Sequence, residues 1–116
     1  MVNWVSENAE KKGINPEGKA GFGYDIEVID RNDTRILIEV KASKSPLKEK
    51  VVFHLTDLEK EVALKNAGNY IIYYVGNVYD KSPEFFKIAD LFEDDFNTEK
   101  YSVDCKCDYI ISARIE

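Results

Sequence analysis

Residues 24–42, YDIEVIDRNDTRILIEVKA, carry the pattern that decides the fold. Two runs rich in Ile, Val and Leu, Tyr24 to Ile29 and Arg35 to Ala42, flank the polar segment Asp30-Arg31-Asn32-Asp33-Thr34, whose residue types favour a turn. The pattern predicts a β-hairpin over about 24–42. Strand alternation assigns Ile26, Val28, Ile38 and Val40 to one face, expected to be core. It assigns Asp25, Glu27, Glu39 and Lys41 to the other, expected to be charged. Folding about Asn32 or Asp33 sets Asp25 opposite Glu39 or Lys41, whichever register the turn chooses.

After the hairpin, Ser43 to Lys50 reads as a polar, lysine-rich connector and Val51 to Leu55 as another short strand. Thr56 and Glu59 form the pattern T-x-x-E, in which hydroxyl and carboxylate each satisfy a backbone N–H at a helix start. Leu58, Val62, Ala63 and Ala67 supply an apolar stripe that Gly68 ends, so a helix is expected over about 57–67. Residues 69–78, NYIIYYVGNV, lack alternation and read as a central strand covered on both sides. Before the hairpin, residues 2–6 favour a strand, and residues 13–23, with four glycines and a proline, a loop. Beyond residue 80, PEFFKIADLF suggests a strand and turn, Glu93 to Lys100 an acidic loop, and Tyr101 to Ile115 one or two closing strands. The expected class is α/β (α+β), a mixed central β-sheet flanked by helices, with residues 1–116 as one domain.

Composition narrows the function classes. The chain is 116 residues long and 44% hydrophobic, which is that of a folded globular protein, and no apolar run approaches the roughly 20 residues of a membrane helix. A cytoplasmic location with no membrane partner is the default expectation. Cys105 and Cys107 are too close for an easy disulfide, and with one histidine in the chain they do not make a zinc site. The net charge of −6 argues against a protein that coats nucleic acid. Residues 1–50 hold nine basic and nine acidic groups, whereas residues 51–116 hold seven and thirteen. Any nucleic-acid contact is therefore expected in the first half, through Lys41, Lys44, Lys48 and Lys50, although the same run also fits a solvated loop.

Asp25, Glu39 and Lys41 carry the chemistry. Carboxylates on adjacent strands lie roughly 5 Å apart at their β-carbons when directly opposite, a separation that suits a shared hard cation. Asp25 and Glu39, with the Val40 backbone carbonyl, are the expected ligands of Mg²⁺ or Mn²⁺. Lys41, two residues beyond Glu39, could orient water or stabilise charge on a phosphate. The reaction implied is phosphodiester hydrolysis by activated water. His54, in the strand before the helix, flanks the expected site and could contact a phosphate beside Lys44, Lys48 and Lys50 or assist proton transfer, although an ordinary strand histidine is the reading that a single titratable residue favours. The alternative is a solvated hairpin face whose Glu and Lys pair across strands. Tyr70, Tyr73 and Tyr74 could stack on bases, but their apolar run favours core packing.

A longer resemblance bears on that choice. The blocks GFGYDI (21–26), IEVKAS (38–43), FHLTDLE (53–59) and NYIIYYV (69–75), together with Val2-Asn3-Trp4-Val5, resemble the NO VEIN C-terminal-like domain in the same order. That domain is similar to the PD-(D/E)XK superfamily, which implies a restriction-endonuclease-like fold and a Mg²⁺-dependent DNA endonuclease. By the same resemblance, Asp25, Glu39 and Lys41 are the metal- and water-handling residues. It further implies a restriction or antiviral context and a parent protein bearing helicase, ATPase or other domains. The other implied role is an inactive module on this fold that binds nucleic acid or a partner protein. Thr56 and Glu59 match a Thr-x-x-Glu pattern of the family, for which the capping box already provides a structural reason.

Overall fold

The hairpin forms around a turn that Asp30 closes. In the computed structural model, which describes residues 2–5, 22–93, 95–105 and 109–115, the Asp30 carboxylate accepts from the N–H groups of Asn32 (2.8 Å) and Thr34 (2.9 Å). Asp33 takes a left-handed φ of 59° within this turn. The flanking strands β2 (Ile26–Ile29) and β3 (Arg35–Ala42) pair antiparallel, with Ile26 facing Ile38 and Ile29 facing Arg35. The N-terminal strand expected over residues 2–6 is β1 (Val2–Trp4), paired antiparallel with β2. Most of the loop expected over 13–23 lies outside the described residues, as does Cys107.

Downstream come β4 (Lys50–Leu55), α1 (Asp57–Lys65), β5 (Tyr70–Gly76), β6 (Glu84–Ile88), β7 (Ser102–Cys105) and β8 (Tyr109–Arg114). Two sheets result, a mixed one in the order β1-β2-β3-β5-β6 and an antiparallel one in the order β4-β8-β7. Among the described strands only β3 and β5 pair in parallel, because the chain between them crosses through β4 and α1 before returning. The α/β class is as expected, with a second sheet in place of part of the helical covering, since the described residues contain one helix. The reason lies in β4, which alternates buried Val51, Phe53 and Leu55 with exposed Val52 and His54. Such a strand buries one face and needs edge partners, which residues 102–114 supply.

The core forms between the sheets from Leu37, Ile72 and Ile88 on one side and Phe53, Leu55 and Ile111 on the other. This overturns the expected faces of the hairpin. The buried residues of β3 are Leu37 and Glu39, whereas Ile38 is half-buried and Val40 is 36% exposed. The cause is tertiary: Leu37 and Glu39 continue across β5 as Tyr70 and Ile72, and the second sheet packs on that surface. Helix α1 begins with the expected capping box and ends at Lys65, capped by Asn66, two residues before the expected end. Among the described residues no helix is long and apolar enough to cross a membrane.

Candidate functional site

Asp25 stands one residue before β2, and the reason is visible in the ladder. Its N–H donates to the Ile38 carbonyl at 2.9 Å, and its Oδ2 accepts the Val40 N–H at 2.9 Å. A side-chain oxygen thus takes over where the backbone pairing ends, which tethers the Asp25 carboxylate to the strand that bears Glu39 and Lys41. An extended residue points its carbonyl to the same side as its N–H, so the Val40 carbonyl faces the Asp25 side of β3.

Glu39 and Lys41 sit on the inward face, across from Ile72 and Tyr74 of β5. Among the described residues Glu39 is the one buried charged residue, 6% exposed. Its Oε2 lies 3.1 Å from the Lys41 ammonium, which also reaches both Glu59 oxygens at 3.3 Å. Glu59 enters from the first turn of α1, where its Oε1 accepts the Thr56 N–H at 2.9 Å and the Thr56 hydroxyl accepts the Glu59 N–H. The capping box therefore fixes the position and rotamer of a side chain that also belongs to the charged cluster. Sequence reasoning on the cap alone misses this second role. The only signal for it is the Thr-x-x-Glu pattern in the resemblance.

Gly23 sets the approach to this cluster. With φ of +77° it passes so close to α1 that a Cβ there would lie 2.7 Å from Val62 Cγ2. The Gly23 carbonyl accepts from the Tyr70 hydroxyl at 2.7 Å, which ties the segment leading to Asp25 onto β5. Tyr70 is buried, packs edge-on to Phe92 and belongs to the core, as does half of Tyr74 against Phe53.

The electrostatics follow from burial. Burial pushes the Glu39 carboxyl up to about 9, and the hydrogen bond with Glu59 and repulsion from Glu59 and Asp25 act the same way, against the attraction of Lys41. Burial also opposes charge on Glu59, but its hydrogen bonds with Glu39 and the Thr56 N–H, and the Lys41 charge, hold it below the usual carboxylate range. Burial and the contact between the two carboxyls thus drive them apart, Glu39 upward and Glu59 downward. Burial works against the Lys41 ammonium too, yet the two glutamates keep it above the ordinary lysine value. Burial, with the negative field of the three carboxyl groups, holds the Tyr70 hydroxyl neutral, far above its usual range.

Three carboxyl groups against one ammonium leave the cluster short of positive charge, and its oxygens are hard donors. Asp25, Glu39 and the Val40 carbonyl fit a Mg²⁺-type ion, which needs one or two protein carboxylates and completes its shell with water and substrate oxygens. Among the described residues no set of three or more His, Cys, Asp or Glu forms a self-sufficient cage.

The other expected contacts lie apart from the cluster. Lys44 is exposed on the loop after β3, 5.7 Å from the centre of the Tyr79 ring, and Lys48 and Lys50 border an open cleft with Leu47 and Ile115. That loop is held by the bonds Ser43 N–H to Val75, Asn77 N–H to Ser45 and Val78 N–H to Ser43. His54 does not flank the site. It is exposed on the outward face of β4, while Phe53 beside it packs inward on Tyr74.

The sequence profile described as Protein NO VEIN, C-terminal matches residues 1–88. The chain belongs to this family. The matched region contains the whole cluster, from Asp25 through Glu59 and Tyr70. No curated protein and no solved structure matched the chain.

Proposed function

We propose that this NO VEIN C-terminal domain is a divalent-metal-dependent endonuclease domain of the PD-(D/E)XK type that hydrolyses DNA phosphodiester bonds. The observation that carries the reading is a cation-poor cluster at the start of β2, in which buried Glu39 pairs with Lys41 and Asp25 is bonded to the Val40 N–H between them. Burying an ionisable group in a small core is costly, and groups so perturbed gather where chemistry is done. Asp25 and Glu39, with the Val40 carbonyl, would hold Mg²⁺ or Mn²⁺. When bound, the ion would supply Lewis acidity and a lowered pKa for water. Lys41 places its ammonium beside that position, where it would hold the water or the scissile phosphate and stabilise developing charge. Glu59 positions Lys41 from the helix, and Lys44 and Lys48 would meet phosphates further along the strand. The cellular setting that suits this activity is restriction or antiviral defence in the cytoplasm, within a larger protein bearing helicase or ATPase domains.

The test is incubation of the chain, and of any longer protein carrying it, with single- and double-stranded DNA and RNA plus Mg²⁺ or Mn²⁺. Metal-dependent nicking lost in Lys41→Ala supports the reading, and no cleavage of any substrate by either protein sinks it. One observation favours the alternative of an inactive module that binds nucleic acid or a partner protein. The Lys41 ammonium is already committed to two glutamates. In that case a cation would neither displace those contacts nor stabilise the fold.

A further inference from the structure

The five-stranded sheet has a second face, and alternation with the pairing register determines what stands on it. Ile26, Ile38 and Ile71 lie side by side across β2, β3 and β5, on the face opposite Leu37 and Glu39. Two residues further along, Val40 stands beside Tyr73, and Val75 beyond it stands beside Phe85 of β6. Among the described strand residues on this face, Lys87 carries the one charge. None of these apolar side chains joins the core or packs against it. The central isoleucines are half-buried, and at the two edges Val2 is 67% and Phe85 65% exposed.

The second sheet shows by contrast what a face meant for water carries. Its outward side sets Lys50 beside Arg114, Val52 beside Ser112 and His54 beside Ile110, a mixture of polar and apolar groups. A sheet with a parallel pair at its centre is ordinarily covered on both sides, and its strands then read apolar throughout, as residues 69–78 do. Among the described elements none is left to supply that cover. β4, α1, β7 and β8 turn Phe53, Ala63, Val103 and Ile111 to the core on the other side. Residues 6–21, between β1 and Phe22, offer only Ala9, Ile14 and Ala20 as hydrophobic side chains, too little to cover five strands.

We propose that this face is the interface with a second copy of the chain, two five-stranded sheets packing face to face about a two-fold axis, about 10 Å apart. A two-fold interface needs a patch that complements itself, which an uncharged face of β-branched side chains does and a charged one does not. Lys87 stands on the edge strand β6, so its ammonium reaches water at the rim while its stem lies on the apolar surface. Five strands about 4.8 Å apart, three to eight residues long at about 3.3 Å each, make a face of roughly 24 by 18 Å. Side chains standing out from that plane enlarge its accessible area toward the roughly 800 Å² per partner of a stable interface. Glu39 and Lys41 lie on the opposite face, so the pairing neither uses nor covers them.

The test is sedimentation equilibrium of the intact chain over a concentration series without divalent metal, beside Ile71→Asp and Phe85→Glu, with hydroxyl-radical footprinting of Tyr73 and Phe85. The parent is expected to be a dimer that dissociates on dilution, with both aromatic rings protected in the dimer. Ile71→Asp, near the centre, is expected to weaken association about a hundredfold or more, because each copy then buries an unpaired charge against its like. Phe85→Glu, at the margin, is expected to weaken it less. Phe85 is exposed, so that variant keeps the fold should Ile71→Asp lose it, and circular dichroism checks both. The proposal is overturned if the parent is a monomer at every concentration. Protection of Tyr73 in such a monomer assigns the face to residues 6–21, and its labelling leaves the face to a different partner. A dimer that persists unchanged in the folded variants also overturns it, since the copies then meet elsewhere. No cleavage is measured here, so this reading and that of the metal cluster fail separately.

Discussion

At the start of β2, Glu39 and Glu59 hold the Lys41 ammonium, Asp25 is bonded to the same strand through the Val40 N–H, and Glu39 is 6% exposed. Along β6 the balance of residues is reversed: Lys87, Lys100 and Arg114 line a cleft with one carboxylate, Asp90, which pairs with Lys100, and Lys87 and Arg114 stand at the surface. The contrast is one of dielectric surroundings. In the first region Glu39, Lys41 and Glu59 are partly desolvated and their neighbours set the balance of charge among them, whereas exposed side chains keep their water. Buried charge demands a partner when the chain folds, while exposed charge can wait for a ligand.

The largest effect that could break this comparison is on turnover. If the buried cluster is catalytic, Lys41→Ala is expected to lower metal-dependent cleavage by roughly 10²-fold or more while circular dichroism stays that of the parent. Equal activity in the variant would reduce the cluster to a structural ion network. The next effect is on stability. Gly23→Ala forces a Cβ against Val62 at a left-handed backbone position, and is expected to cost about 1–3 kcal/mol in urea unfolding, with the metal response weakened because Asp25 shifts relative to Glu59.

A smaller effect separates the two regions by pH. Glu39 keeps its proton up to about 9 in the folded chain, whereas an unfolded glutamate loses it near 4.5. Between those values unfolding releases a proton, so stability should fall as pH rises through the window and level off above it. Glu59, lowered on folding, has the opposite sign, and its contribution is lost in acid as pH falls below the ordinary glutamate value. Unfolding midpoints measured from about pH 5 to 9 without divalent ions should therefore decline, and Glu39→Gln should flatten the line. Mg²⁺ or Mn²⁺ should flatten it too, by replacing the proton, with a rise in melting temperature. A flat profile in the parent would show that Glu39 is not desolvated as described. The smallest expected effect is that of His54→Ala, within about 0.5 kcal/mol in stability and without change in cleavage, because that side chain is exposed on the face of β4 opposite the buried one. A large loss of activity in that variant would mean that the outward face of β4 belongs to the site.

Much of the local structure was legible. The Asp30 turn and the Thr56 capping box follow from side chains that act on neighbouring backbone, and the β-branched and aromatic run over 69–78 forms β5, an interior strand beside the edge strand β6. The hairpin register follows too, since turn length restricts it to a few choices, and with it the approach of Asp25 to Glu39 and Lys41. Two things did not follow. Alternation says that Ile38 and Glu39 lie on opposite faces, but not which of them meets the other sheet, and here the charged face is buried. Nor does the charge balance of residues 51–116 reveal that Lys87, Lys100 and Arg114 border one cleft, because a count along the chain is blind to which strands become neighbours.

The amino-acid sequence by itself determined the elements, the pairing of β2 with β3 and the three residues brought together there, since hydrogen-bond geometry and side-chain period act over a few residues. Only the tertiary structure decided the environment of those residues. Packing of β4, β8 and α1 onto the inward face buries Glu39, brings Glu59 to Lys41 and makes desolvation the dominant force on the cluster. Desolvation depends on what covers a group from every side, and that covering comes from elements as distant in the chain as Ala113, 74 residues beyond Glu39.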